Sequence, residues 1–114
     1  MKPNNPLTWE EFERAEMVVA TVVEVKPNPK AKKPAYIFEL DAGANGVLTS
    51  SAQLTHNYTV EDLLGKQVVI VINFPEKSIA GIKSQCLIMG AVEDSKNIVI
   101  ISPEREVLNG TKIS

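Results

Sequence analysis

The side chains best suited to chemistry lie in one stretch, Val71–Gly90, where a loop broken by proline and glycine joins two β-like runs. The candidate binding residues in this stretch are Asn73, Phe74, Lys77, Ile79, Ile82, Lys83, Ser84 and Gln85. Charged, stacking and hydrogen-bonding groups on one strand–loop–strand unit suit an oligonucleotide or an extended peptide better than a small-molecule reaction. The pattern therefore predicts a binding protein and not an enzyme.

The ionisable side chains form no recognisable catalytic or metal-binding pattern. The chain has one histidine, His56, and one cysteine, Cys86, so a zinc site lacks ligands and no disulfide can form within the chain. Glu39 and Asp41 share a strand face but have no base, metal partner or phosphate-cradling loop nearby. We therefore predict no catalytic residues, no metal site and no cofactor.

The charge is distributed unevenly along the chain. The net charge of -2 counts against a nucleic-acid binder, but residues 10–16 hold four of the acidic groups, whereas residues 26–33 contain no acid. The lysines of that second segment are Lys26, Lys30, Lys32 and Lys33. On composition alone a solvated loop is the more common explanation, and phosphate binding is the alternative.

These residues must be positioned by a mainly β structure. Thr8 and Glu11 fit a capping box, which predicts a short helix near Trp9–Ala15. Thr59 with Asp62 predicts a helical turn after the third strand. The predicted strands are Met17–Val25, Tyr36–Asp41, Val47–Ser51, Lys66–Ile72, Gln85–Ala91 and Asn97–Ile101, with Leu108–Ile113 as a short terminal addition.

About five main strands with a helix between the third and fourth is the order of an OB-fold, a five-stranded Greek-key barrel. We predict an all-β protein with one domain over residues 1–114, of which residues 1–15 form a helical extension. No apolar run has the length of a signal-peptide core or a membrane span. This predicts a cytoplasmic protein that is not inserted in a membrane.

Several short motifs, taken together and in order, carry a family resemblance over nearly the whole chain. They lie at residues 29–35 (PKAKKPA), 41–43 (DAG), 50–55 (SSAQLT), 65–68 (GKQV), 73–75 (NFP), 77–85 (KSIAGIKSQ) and 109–113 (NGTKI). The chain resembles the freestanding tRNA-binding-domain proteins called CsaA, export-related chaperones that are relatives of the C-terminal domains of methionyl-tRNA synthetases. It departs from the family at residues 18–21, where VVAT replaces the frequent RVGT.

The resemblance implies an OB-fold, a homodimer and no catalytic activity. It also favours a ligand-facing role for Ser50, Ser51 and Gln53, whose side chains could equally cap the local turn. Two functions remain open. One is binding of tRNA or other structured RNA; the other is capture of unfolded or preprotein peptides by a protein-secretion chaperone.

The two functions predict different contacts on the same surface. For RNA, we expect phosphate contacts from Lys30, Lys32, Lys33, Lys77 and Lys83, hydrogen bonds from the polar residues named above, and base stacking on Phe74 in preference to Tyr36. For a peptide, we expect apolar contacts from Phe74, Ile79 and Ile82. The structural alternative is that the two isoleucines close the barrel or lie in a dimer interface.

Overall fold

The structure is a computed structural model that describes residues 5–114. The first element is helix α1 (Trp9–Glu13), and its start follows from the predicted capping box. The backbone N–H of Glu11 donates to Thr8 Oγ1 (3.2 Å), and the Thr8 N–H donates to Glu11 Oε1 (3.1 Å). The helix ends two residues before the predicted boundary at Ala15.

Nine strands follow. In chain order they are β1 (Met17–Pro27), β2 (Tyr36–Asp41), β3 (Val47–Ala52), β4 (Gln67–Val71), β5 (Lys77–Ile79), β6 (Ile82–Ser84), β7 (Leu87–Ile88), β8 (Gly90–Val92) and β9 (Ile98–Ile100). A five-stranded antiparallel sheet has the order β3-β2-β1-β4-β7, and two separate hairpins are formed by β5 with β6 and by β8 with β9.

The sheet closes into a barrel because the two halves of its longest strand, β1, pair with different neighbouring strands. The first half of β1 pairs with β4 and the second half pairs with β2, with a shift of register between Val22 and Glu24 that bends the strand. At the other side of the barrel, the Gln85 N–H donates to the Thr49 carbonyl at 2.8 Å. The result is a nearly closed barrel, as the strand order in the sequence predicts.

The predicted helix between the third and fourth strands is present. Helix α2 (Val60–Leu63) begins at Thr59, whose hydroxyl accepts from the Asp62 N–H while the Asp62 carboxylate accepts from the Thr59 N–H. These bonds lower the pKa of Asp62. Leu63 is fully buried in the barrel core, so the helix covers that part of the interior.

Alternation along the strands divides the apolar residues between two clusters. The barrel interior contains Val18, Ala20, Val22, Val25, Tyr36, Phe38, Leu40, Ala42, Leu54, Leu63, Val68, Ile70, Cys86 and Ile100. A smaller cluster on the outer face consists of Met17, Val69 and Val71, packed against Phe12, Met89 and Ile113. Helix α1 and the C-terminal segment therefore cover the outside of β1 and β4.

Three predicted segments differ from the structure. The loop expected between the apolar runs folds as the β5–β6 hairpin. The single strand expected over Gln85–Ala91 is two strands, because the chain leaves β4 at Ile88 and pairs with β9 from Gly90. The terminal strand expected over Leu108–Ile113 is reduced to one β-bridge, between Val18 and Lys112.

Candidate nucleic-acid interface

The β5–β6 hairpin presents two chemically different faces. Lys77 pairs with Ser84 and Ile79 pairs with Ile82, so these four side chains share one face. Lys83, opposite Ser78, lies on the other face. The two lysines predicted to act together on this segment therefore point in opposite directions.

One face of the hairpin borders an apolar trough of about 550 Å³. The trough is lined by Ser51, Phe74, Pro75, Glu76, Lys77, Ile79, Ser84, Cys86 and Leu87. Phe74 is 56% exposed and Leu87 is 50% exposed, whereas Ile79 is half-buried. Apolar surface of this kind, rimmed by charged side chains, is typical of a site for another apolar group.

The basic loop over residues 28–34 sits against the tip of the same hairpin. The side-chain amide of Asn28 donates to the Ala80 carbonyl (3.5 Å) and its oxygen accepts from the Lys30 N–H (3.0 Å). A Cβ placed on Gly81 would lie 3.3 Å from the Lys30 Cδ, so the lysine stem rests on the turn. The structure thus brings the two predicted binding segments into contact.

The lysine side chains of this region have no carboxylate partner within residues 5–114. The predicted phosphate-binding residues Lys30, Lys32, Lys33, Lys77 and Lys83 are all exposed. Within residues 5–114, the ion pairs are Lys26 with Glu24 and Arg105 with Glu104, and neither includes one of these five lysines. Their charges remain available to an anionic ligand.

The hydroxyls of Ser50 and Ser84 are buried and hydrogen-bonded inside the barrel wall, although Ser84 also lines the trough. The Ser50 hydroxyl donates to the Cys86 carbonyl at 2.9 Å. The Ser84 hydroxyl accepts from the Ser51 N–H at 3.2 Å. Their role is to fasten β3 to the segment between β6 and β7, which corrects the prediction of solvent-facing hydroxyls.

Gln85 and Asn73 are also engaged within the chain. The Gln85 side-chain oxygen accepts from the Thr49 N–H (2.9 Å), which adds a second bond across the barrel closure. The Asn73 oxygen accepts from the Glu16 N–H (2.9 Å), and its amide donates to the Arg14 carbonyl. Asn73 therefore fixes the position of the segment between α1 and β1 through these hydrogen bonds.

Gln53 differs from these residues. Its side chain is exposed and makes no hydrogen bond within the part of the chain that the structure describes. Together with Lys33 it lines a second, polar cleft of about 490 Å³, whose other walls are Pro34, Thr55, His56, Ser95 and Lys96. Sequence reasoning missed this cleft, because Lys96 belongs to an acidic turn and His56 stands alone in a polar loop.

Tyr36 and Cys86 are buried in the barrel core. Tyr36 is buried and its hydroxyl donates to the Tyr58 carbonyl at 2.8 Å. Burial raises the pKa of the Cys86 thiol to about 11, which keeps it protonated at neutral pH.

Among residues 5–114 no group of three His, Cys, Asp or Glu side chains is arranged to hold a metal ion. In the same range, no helix has the length and apolar character needed to cross a membrane.

Comparison with known proteins identifies the family. The family described as "Putative tRNA binding domain" matches residues 17–112. The chain belongs to this tRNA-binding-domain family. The match begins at the first residue of β1 and includes the basic loop, the β5–β6 hairpin and the C-terminal segment.

Solved structures of the family share the fold. The chaperone CsaA from Bacillus anthracis str. Ames is 40% identical, with a TM-score of 0.91 over 96% of this chain and 100% of that chain. The CsaA chaperone protein from Picrophilus torridus is 33% identical, with a TM-score of 0.88 over the same shares. These similarities confirm the predicted barrel fold and the predicted resemblance.

The curated relatives include much longer proteins. The methionine–tRNA ligase of Pyrococcus horikoshii is 36% identical over 105 residues, which are 92% of this chain. That of Porphyromonas gingivalis strain W83 is 33% identical over 107 residues, or 94% of this chain. This chain spans only 14% and 15% of the lengths of those two ligases.

Proposed function

We propose that this chain is a non-catalytic protein that binds tRNA or another structured RNA, and that it does so as one domain in the cytoplasm. The observation that carries the proposal is the docking of the basic loop on the β5–β6 turn through Asn28 and Lys30. It places the segment that carries Lys30, Lys32 and Lys33 against the hairpin that carries Lys83. Membership of the tRNA-binding-domain family supports the same partner.

The proposed RNA contacts are a subset of those that the sequence suggested. They are the exposed Lys30, Lys32, Lys33 and Lys83, which form no ion pair within residues 5–114, together with the Gln53 amide, which has no hydrogen bond in that range. Ser50, Ser84 and Gln85 are assigned to the structure of the barrel, and Asn73 is assigned to the connection between α1 and β1. Ser51, Phe74 and Lys77 line the apolar trough and are assigned to the second function below.

Affinity from such contacts depends on salt, because each neutralised phosphate releases counterions. Three phosphate contacts contribute about two log units of affinity at about 0.1 M salt relative to 1 M, taking roughly 0.7 per contact. Changing Lys30, Lys32 and Lys33 together to Glu should therefore weaken tRNA binding by at least about 100-fold.

The matched control reverses three charges elsewhere. Lys66, Arg105 and Lys112 are exposed and lie outside the basic loop and the hairpin. The variant with these three residues changed to Glu has the same net charge as the loop variant, which makes it a matched control. Because the three positions lie outside the proposed RNA site, this variant should retain most of the affinity for tRNA. Equal losses in both variants, or no binding of tRNA by the parent protein, would contradict the proposal.

We further infer that the protein acts as a homodimer, which would double the number of lysines presented to one RNA. Leu7 and Trp9, 69% and 79% exposed, give the region of α1 an apolar patch suited to a second copy. Sedimentation at micromolar concentration should give about twice the 12.5 kDa mass of the chain. A single 12.5 kDa species would contradict the inference.

A second candidate function, capture of unfolded or preprotein segments by a secretion chaperone, is favoured by the apolar trough. Phe74 and Ile79 offer apolar contacts there, and Ile82 shares the same face of the hairpin. The proposal predicts that Phe74→Ser reduces the suppression of client aggregation. Val92→Ser, at a site 68% exposed and outside the trough, should not. Equal suppression by the Phe74 variant and the parent would exclude the trough as the peptide site.

A further inference from the structure

The polar cleft beside the basic loop is built from three chain segments. Lys33 and Pro34 come from the basic loop, Gln53, Thr55 and His56 follow β3, and Ser95 and Lys96 form the turn between β8 and β9. Its volume of about 490 Å³ lies in the range of small-molecule sites. It shares no lining residue with the apolar trough.

Hydrogen bonds hold the three segments in place. The Thr55 hydroxyl donates to the Pro34 carbonyl at 3.5 Å, which links the first wall to the second. The Asn57 amide donates to the Ile98 carbonyl at 3.1 Å, which links the second wall to the β8–β9 hairpin. Hydrogen bonds within the fold therefore connect the segments that form the cleft.

The carboxylate of Asp94, which directly precedes the lining residue Ser95, is already occupied. The Asp94 carboxylate accepts from the backbone N–H of Lys96 (2.8 Å) and of Asn97 (3.0 Å), and from the Asn97 amide (2.7 Å). These bonds, with a smaller contribution from His56, lower the pKa of Asp94. The Asp94 carboxylate is thus engaged in hydrogen bonds within the turn. The ammonium groups of Lys33 and Lys96 form no ion pair within residues 5–114.

We propose that this cleft binds one nucleotide of the RNA, with its phosphate held between Lys33 and Lys96 and its base or ribose in contact with Gln53 and His56. This rests on the RNA-binding function proposed above. Two ammonium groups supply the charge attraction, whereas the amide, the hydroxyls and the imidazole supply the donors and acceptors that a nucleotide satisfies. The strand of RNA then runs from the basic loop towards the β8–β9 turn.

This path separates the two ligand classes. RNA occupies the polar cleft, the basic loop and the Lys83 face of the β5–β6 hairpin, and an apolar peptide segment occupies the trough beside the opposite face, which carries Lys77 and Ile79. Because the two sites have no lining residue in common, one molecule can hold both ligands at once.

His56 provides a direct reporter, because it is the only histidine of the chain and its imidazole C–H proton resonances in NMR spectra are unambiguous. The probe is single-stranded hexauridylate, titrated at constant pH because an imidazole resonance also moves with pH. The expected result is a saturable shift of the His56 resonances. Lys96→Glu should abolish the shift and weaken tRNA affinity by at least about fivefold, the effect of losing one phosphate contact. The matched charge reversal Lys66→Glu should leave the shift unchanged.

The outcomes separate this proposal from the function on which it rests. If tRNA binds and requires the basic loop while His56 does not respond to hexauridylate, the cleft assignment is wrong and the proposed function stands. If a tetraglutamate peptide moves the His56 resonances as strongly as hexauridylate, the cleft is a site for acidic peptides and the proposal fails. If the parent protein binds no tRNA, both proposals fail.

Discussion

A substitution of Asn73 tests whether this residue stabilises the fold or contacts RNA, as the sequence suggested. Its side chain makes two hydrogen bonds, from the Glu16 N–H (2.9 Å) and to the Arg14 carbonyl. These bonds fix the segment that connects α1 to β1, and α1 carries Phe12 onto the outer apolar cluster. Asn73→Ala removes both bonds without leaving a buried polar group, because the site is exposed.

The expected loss of stability follows from the net free energy that such hydrogen bonds contribute to folding. Each contributes about 0.5–1.5 kcal/mol, so Asn73→Ala should lower the free energy of unfolding by about 1–3 kcal/mol. For a domain of this size this corresponds to a fall in Tm of roughly 4–12 °C. The affinity for tRNA should change by less than about twofold, because neither polar atom of the side chain is free for a ligand.

Gln53→Ala is the matched comparison, because Gln53 is an exposed amide without a hydrogen bond in residues 5–114. We expect the reverse result: an unchanged free energy of unfolding and weaker tRNA binding. Thermal unfolding followed by circular dichroism and tRNA titration by fluorescence anisotropy measure the two quantities. A variant Asn73→Ala with parental stability and an affinity reduced fivefold or more would refute the structural assignment.

Three further predictions test the fold and the separation of sites. Gly43→Ala should destabilise the protein by about 1–3 kcal/mol more than Gly65→Ala, as measured by urea unfolding. Both glycines have positive φ, but only the Cβ at position 43 would collide with the Asn109 carbonyl, so equal costs would contradict the packing. Because burial raises the pKa of Cys86 to about 11 from an ordinary value of 9.0, its stabilising contribution should be present below about pH 9 and lost as the pH rises towards 11. Unfolding of the parent and of Cys86→Ala at pH 8 and pH 11 should show a smaller fall in the variant, and identical falls would argue against a buried thiol. Saturating tRNA should leave the affinity for an extended apolar peptide within about twofold, because the two sites share no lining residue, whereas direct competition would place both ligands in one groove.

Local signals predicted much of the fold. The boundaries of β2 and the starts of both helices follow from short-range chemistry, since Thr8 with Glu11 and Thr59 with Asp62 form capping boxes over three residues. The β5–β6 hairpin was missed because its turn is Ala80–Gly81. Both residues have positive φ (47° and 82°), and asparagine or aspartate before glycine is the usual signal for such a turn.

The candidate site was harder to predict because its parts meet only in the folded chain. Ser50 and Ser84 look like ligand-facing hydroxyls in the sequence, but each bonds across the barrel closure. His56 and Lys96 are separated by forty positions and come together only because the β8–β9 hairpin folds back beside the chain that follows β3. Their apparent isolation in the sequence concealed the polar cleft.

The central claim is that the basic loop neutralises RNA phosphates, and the salt dependence of tRNA affinity tests it most directly. The slope of log K against log salt should be steeply negative for the parent protein. Changing Lys30, Lys32 and Lys33 together to Gln should make this slope less negative by about 2, as expected for the loss of three phosphate contacts. An unchanged slope in that variant, measured beside a parent protein that binds tRNA, would contradict the claim.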